Sequence, residues 1–168
     1  MNTEEYLDLV DENDQVIGRK LRSEVHAEGL HNFRAVNVFI VNEKGEIWIP
    51  RRQAHKQIAP LGFDMSMGGH VESGETYEEA LKREAMEELN IDTDLIPVRL
   101  LGHLTPSKDG VHCFQNVYEI RSDVVPEFNP DDFIEYFWLN PQVLLDRITS
   151  GEKAKSDLSI LVKKFYAK

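Results

Sequence analysis

Apolar positions in the first third of the chain fall into short runs separated by polar turn clusters. Tyr6–Val10 and Val16–Leu21 flank Asp-Glu-Asn-Asp, which predicts an N-terminal β-hairpin. Arg22–Phe33 follows as a polar connection carrying His26, Gly29 and His31. Ala35–Val41 is β-branched and aromatic, then come the turn Asn42–Gly45 and the run Glu46–Arg51. That pattern predicts a second hairpin, with strands apolar enough to be central. Val98–Leu104 and Val111–Ile120 predict two further strands joined by a Pro-Ser-Lys-Asp-Gly turn, and Glu135–Leu139 a last short one. Pro141–Thr149 and Lys153–Tyr166 have helical character and are split by Ser150-Gly151. No repeat, low-complexity stretch or linker interrupts the series. The expectation is one domain over 1–168, with 1–33 as an N-terminal extension.

The longest helical pattern lies mid-chain. Thr76-Tyr77-Glu78-Glu79 fits a capping box, with Thr76 as N-cap and Glu79 three residues on. Leu81, Ala85 and Leu89 fall within an arc of about 80° and are expected to face the core. Asn90 is suited to end the helix in a left-handed conformation. Glu84, Glu87 and Glu88 share an arc of about 100°, the spacing of neighbours on one face. Two unit charges about 4 Å apart repel by roughly 4 kcal/mol at an effective dielectric near 20. Such a cluster needs a cation or must splay into water. Glu88 borders the apolar arc, so it is expected to be the least solvated of the three.

Charge narrows the partners. With 30 acidic and 19 basic side chains the net charge is −11, which argues against nucleic acid or an anionic membrane as the main partner. A phosphorylated substrate would need divalent metal and a few placed basic residues to offset that field. The single cysteine, Cys113, allows no intramolecular disulfide and suits a reducing interior. The acidic Met-Asn-Thr-Glu-Glu-Tyr start lacks a secretory apolar segment, and no apolar run approaches membrane-spanning length. A cytoplasmic protein is expected.

Hard cations such as Mg²⁺ prefer oxygen ligands and are often held by a few carboxylates together with substrate phosphates. The Gly68-Gly69 segment, expected as a turn, would let backbone carbonyls approach closely. These parts suit metal-assisted hydrolysis of a phosphoanhydride. An acidic helix face in an acidic protein is nonetheless usually solvated surface, because an exposed like-charge pair costs only about 0.2–0.5 kcal/mol. The spacing decides between the two. Gly69, five residues, Glu75, seven residues, Arg83-Glu84, then Glu87-Glu88 and Ile91 resembles the box of the Nudix hydrolase family over 69–91. Two positions depart from that pattern. Ala85 stands where a larger aliphatic is usual, and Asn90 replaces the final glycine.

The resemblance implies an α/β class, Nudix-fold α/β/α sandwich with a central mixed sheet, here with the N-terminal hairpin added. It implies cleavage, dependent on Mg²⁺ or Mn²⁺, of nucleoside di- or triphosphates or of nucleoside diphosphates linked to another moiety. Glu84, Glu87, Glu88 and the Gly69 carbonyl would be metal ligands, and one glutamate or a later carboxylate would be the base. Arg83 and Glu75 would form an orienting pair. Dimers are common among similar proteins, so a homodimer is one candidate assembly.

Outside the box the chain resembles Nudix proteins related to isopentenyl diphosphate isomerase, through Leu7–Gly18 and Ser-Glu-Val-His at 23–26. The isomerase cysteine is missing at Gly68, its second metal histidine falls on Phe33, and its later carboxylates fall near Val111 and Cys113. An isomerase is therefore not expected, and His26 and His70 are expected as structural hydrogen-bonding groups. A nucleotide sensor without catalysis is the other alternative, disfavoured by the intact glutamate set. Arg51, Arg52 and Lys56, just before the box, and Arg34 are the candidate phosphate-binding cations. Trp48, Phe63 and Phe114 are candidate base-stacking rings that strand position makes better core residues.

Overall fold

The computed structural model describes residues 4–167. Strands β1 (Tyr6–Val10) and β2 (Val16–Leu21) form the expected antiparallel hairpin as a separate two-stranded sheet. The polar connection after it contains a short helix, α1 (Arg22–Ala27), which the sequence pattern did not predict. Its first turn is satisfied by Glu24, whose Oε1 accepts from Leu21 N at 3.2 Å, and Val25 anchors it in the interior. Strand β3 (Arg34–Val41) follows, then β4 (Ile47–Arg52), β5 (Met67–His70) and helix α2 (Tyr77–Leu89). The order continues as β6 (Arg99–Leu104), α3 (Pro106–Asp109), β7 (Phe114–Arg121), β8 (Phe133–Leu139), α4 (Pro141–Thr149) and α5 (Leu158–Phe165).

Six strands make a mixed sheet in the order β6-β7-β3-β4-β8, with β5 also paired to β3. Among the described strands β3 and β7 run parallel and the other pairs antiparallel. The expected second hairpin barely exists as a ladder, because β4 shares a single register pair with β3, Val41 with Ile47. It then diverges to pair with β8 over Ile47–Arg52. The freed edge of β3 is taken by β5, from Ala35↔His70 to Val38↔Met67. Gly68 and Gly69 thus belong to an antiparallel strand and not to the turn expected from their composition.

One face of the sheet buries Val36, Val38, Ile40 and Trp48 against Ala80, Leu81, Ala85 and Leu89 of α2. The other buries Phe39, Val41, Ile47 and Ile49 against Leu144, Leu158, Leu161 and Val162 of α4 and α5. This is the α/β/α sandwich that period-two strands with apolar residues on both faces require. A smaller cluster of Leu7, Val25, Phe33 and Cys113 joins hairpin and α1 to one end of β3. No helix among the described residues is long and apolar enough to cross a membrane.

Two further boundaries moved for local reasons. The Pro-Ser-Lys-Asp-Gly turn is the one-turn helix α3, with proline at its start and Gly110 closing it at φ 71°. Helix α5 begins at Leu158 and not at Lys153, because the preceding backbone is committed to Phe63. Phe63 N donates to Lys153 O at 2.8 Å, and Lys155 N donates to Phe63 O at 2.9 Å.

Candidate active site

Helix α2 forms where its capping predicts. Thr76 Oγ1 accepts from Glu79 N at 3.1 Å while Thr76 N donates to Glu79 Oε1 at 3.1 Å. Asn90 ends the helix in the left-handed region at φ 53°, the geometry for which asparagine is second to glycine. Packing Leu81, Ala85 and Leu89 inward aims the glutamate arc along the edge of β5. There the helix and strand touch closely. A Cβ built on Gly69 would stand 2.3 Å from Glu84 Cδ. Neither Gly68 nor Gly69 has positive φ, so each is a glycine for space and not for dihedral freedom.

Arg83 organises the loop before the helix. Its Nε and Nη2 donate to Glu75 Oε2 and Oε1, both at 2.8 Å, a bidentate pair. Nη2 also donates to His70 O at 3.1 Å, and Nη1 to Glu84 Oε1 at 2.7 Å. Glu75 Oε1 accepts from Glu72 N at 2.8 Å. The network ties the strand end, the loop and the helix into one unit.

The three carboxylates differ in environment. Glu87 is exposed, with 59% of its side chain accessible. Burial raises Glu84 to about 7, opposed by the Arg83 guanidinium. Burial also pushes Glu88 well above the usual carboxylate range, with Glu84, Asp64 and Asp132 adding repulsion and Lys155 opposing. Its one hydrogen bond is a long contact, Gly68 N to Oε2 at 3.4 Å. Glu88 is the most enclosed of the set, as its place beside the apolar arc predicts. Among the described residues no three acidic, histidine or cysteine groups already converge on one point as a closed metal site. The donor set still fits a hard divalent cation. Two enclosed carboxylates lack full compensation, and the missing Cβ of Gly69 lets the Glu84 carboxyl stand directly against the strand.

These groups open onto a cavity of about 1170 Å³, lined by Gly68, Gly69, Arg83, Glu84, Glu87 and Glu88 on one side. Arg52 and Lys56 also line it. Arg52 is held by Asp64 at 2.6 Å and by Ile58 O at 2.7 Å, and Lys56 by Asp132 at 2.7 Å.

Arg51 and Arg34 do not line the cavity. Strand alternation turns Arg51 away from Arg52, so its guanidinium lies over Phe63 at 4.7 Å and bonds Glu135 at 2.6 Å. Arg34 bonds Asp14 Oδ1 at 2.7 Å, and Tyr77 OH donates to Asp14 Oδ2 at 2.7 Å, which fastens the hairpin turn to the body. Trp48 and Phe63 are core residues, and Phe114 is buried. His70 Nδ1 lies 3.5 Å from Glu5 Oε1, its ring 5.4 Å from that of His26. Burial holds both imidazoles below their usual pKa.

The cavity floor has members that motif spacing missed. Asn37 Nδ2 donates to Gln115 Oε1 at 2.7 Å, and Gln115 Nε2 donates to Asp157 Oδ2 at 3.0 Å. All three are buried and line the cavity together with Lys155. The available signal was Asn37 in the apolar run 35–41 and the adjacent amides Gln115 and Asn116 in 111–120, since a polar side chain in a central strand must find a partner.

Comparison with known proteins places the chain. The NUDIX domain family model matches residues 31–159. An uncharacterized Nudix hydrolase of Nostoc sp. is 59% identical over 163 residues, 97% of this chain and 96% of that one. A crystal structure from Deinococcus radiodurans covers 96% of this chain and 99% of its own, at 47% identity and a TM-score of 0.91. An isopentenyl-diphosphate isomerase of Paenarthrobacter aurescens is 28% identical over 93% of this chain and 87% of its own length. The positions where that activity was not expected remain apolar here, with Phe33, Val111 and Cys113 all buried. With the box, the fold and the family model agreeing over most of its length, the chain belongs to the Nudix hydrolase family.

Proposed function

We propose that this enzyme is a pyrophosphohydrolase, dependent on Mg²⁺ or Mn²⁺, that cleaves nucleoside di- or triphosphates, or nucleoside diphosphates linked to another moiety, in the cytoplasm. The observation that carries this is the pair Glu84 and Glu88, enclosed at one side of a large cavity with too little positive charge to balance them. Glu84, Glu87, Glu88 and the Gly69 carbonyl would hold the metal. Bound there, a divalent cation polarises a phosphoryl oxygen and lowers the pKa of its water. The protein supplies the rest. Arg83, clamped by Glu75, fixes the Glu84 carboxylate against β5, so the ligand set is pre-oriented. A glutamate of the set takes the proton of the water attacking phosphorus. Cleavage of the anhydride releases a nucleoside monophosphate and a second phosphorylated product.

The test is incubation with a panel of nucleotides, sugar nucleotides and isopentenyl diphosphate, with Mg²⁺, Mn²⁺ or chelator, and products identified by mass. Metal-dependent release of a nucleoside monophosphate is expected. Glu84→Gln and Glu88→Gln are each expected to lower turnover by orders of magnitude with the fold intact. Full activity in both variants overturns the metal-site assignment. Tight nucleotide binding without turnover would indicate a sensor, and isomerised isopentenyl diphosphate would indicate the isomerase branch.

A further inference from the structure

Five Lys and Arg side chains line the cavity: Arg22, Arg52, Lys56, Arg83 and Lys155. Four of them are already engaged. Arg22 pairs with Glu5 at 3.4 Å, Arg52 with Asp64 at 2.6 Å, Lys56 with Asp132 at 2.7 Å and Arg83 with Glu75 at 2.8 Å. Lys155 differs. Its nearest acidic oxygen among the described residues is Asp64 Oδ1 at 3.7 Å, beyond hydrogen-bonding reach. That carboxylate is already occupied, with Oδ2 accepting from Arg52 and Oδ1 from Met65 N at 2.7 Å. Among the described residues no ion pair closes between Lys155 and Glu88, although the ammonium opposes the burial of Glu88.

The lysine is presented by a rigid segment. Lys155 N is tied to Phe63 O, and two residues on the Asp157 carboxylate accepts from His112 N at 3.0 Å and from Gln115 Nε2 at 3.0 Å. Gln115 in turn holds Asn37 on β3. The side chain therefore leaves a fixed point on the cavity floor, and 26% of it is accessible. Its Nζ lies 3.7 Å from where a Cβ on Gly68 would stand, while Gly68 N faces Glu88 Oε2. The ammonium and the enclosed carboxylate thus flank the same glycine, and both line the cavity.

We propose that Lys155 binds a phosphoryl oxygen of the substrate directly, on the Gly68 side of the glutamate set. This deepens the hydrolase reading and rests on it. An uncommitted ammonium is a compact point charge with three donors, suited to a phosphate oxygen without the fixed fork of arginine. In a protein of net charge −11 it is also, among the described residues, the cavity cation that stands farthest from its nearest carboxylate.

The test uses the intact enzyme and inorganic pyrophosphate as probe. The native protein is lightly acetylated at lysine with and without millimolar pyrophosphate and Mg²⁺, and each lysine is quantified by peptide mass. Acetylation of Lys155 is expected to fall several-fold, while Lys82, outside the cavity, reacts unchanged. Equal modification of Lys155 in both conditions overturns the proposal, including the case where only Lys56 is protected. In turnover, Lys155→Met is expected to raise KM by roughly 10- to 100-fold, with a smaller change in kcat, and Lys155→Arg to recover most of it. Wild-type KM in Lys155→Met, alongside lost turnover in Glu88→Gln, would sink the lysine role and leave the hydrolase reading standing. Protection of Lys155 in a protein that turns over nothing in the panel would sink the hydrolase reading and leave the anion site.

Discussion

Replacing Gly69 by alanine separates catalysis from folding at one methyl group. The added Cβ would stand 2.3 Å from Glu84 Cδ and 2.6 Å from its Cγ and Oε1. Ordinary contact begins at 3.4 Å, so the carboxylate must retreat by about 1.1 Å. The retreating atoms are the far end of a flexible side chain, and the backbone φ at residue 69 is one that alanine accepts. Moving Glu84 off its rotamer costs about 0.5–1.5 kcal/mol. The loss of glycine entropy in the unfolded chain returns about 0.4–1 kcal/mol. The melting temperature is therefore expected to stay close to wild type. Activity is not. A misplacement near 1 Å in a catalytic constellation costs on the order of 100-fold, about 2.7 kcal/mol of barrier.

Gly68→Ala is the control with the opposite balance. There the Cβ would meet Asn37 Oδ1 at 2.6 Å, and that amide is buried and fixed to Gln115 at 2.7 Å. That amide cannot retreat without straining its buried bond to Gln115, so Gly68→Ala is expected to lose more stability than Gly69→Ala. The assay is kcat/KM with saturating Mg²⁺ beside a thermal melt of each variant. Gly69→Ala with kcat/KM within twofold of wild type would refute the claim that the strand is bare to seat Glu84. A larger melting loss in Gly69→Ala than in Gly68→Ala would refute the packing argument.

Two further outcomes follow from the electrostatics. Burial raises Glu84 from 4.5 to about 7 and Glu88 well above 4.5, so the metal-free native state binds protons that the unfolded chain has released. From these two groups stability falls as pH rises through about 4.5 to 7, and further for Glu88. In chelator, the melting temperature of Glu88→Gln minus that of wild type is expected to widen across that window. A difference independent of pH would contradict the assigned burial. Arg51→Ala is expected to leave KM unchanged, because the guanidinium lies over Phe63 and bonds Leu61 O and Glu135 outside the cavity. It is expected to cost about 1–2 kcal/mol in a denaturant melt, and a tenfold rise in KM would return Arg51 to the substrate.

What the sequence disclosed was whatever is local. The capping box at Thr76, the buried stripe of Leu81, Ala85 and Leu89, the left-handed Asn90 and the whole of α4 follow from interactions within a few residues. The Arg83–Glu75 pair was expected only from the resemblance over 69–91, and both of its hydrogen bonds are formed. The misreadings were long-range. Gly68 and Gly69 suggest a turn by composition, yet β4 leaves β3 after one pair and frees an edge that they fill. Lys153–Asp157 continues a helical pattern, but its backbone pairs with Phe63, ninety residues earlier. Arg51 and Arg52 look equivalent as neighbouring cations just before the box until the alternation of β4 sends Arg52 to the cavity and Arg51 to the opposite face.

The same distinction explains why the phosphate-binding cations were the weakest part of the sequence reading. A count of basic residues near the box treats each as available, whereas in an acidic chain most positive charges are already spoken for. Arg34 is held by Asp14, Arg51 by Glu135, Arg52 by Asp64 and Lys56 by Asp132. Each such pair positions a segment: the hairpin turn, β8, the stretch before β5, the loop before β8. Removing one partner would leave an uncompensated charge, so these cations are poorly placed to be lent to a substrate. Among the described residues, the cavity cation whose nearest acidic oxygen lies beyond hydrogen-bonding reach comes from position 155, a place no motif spacing indicates. In an acidic enzyme for anionic substrates, the informative quantity is the positive charge left over after the fold has used the rest.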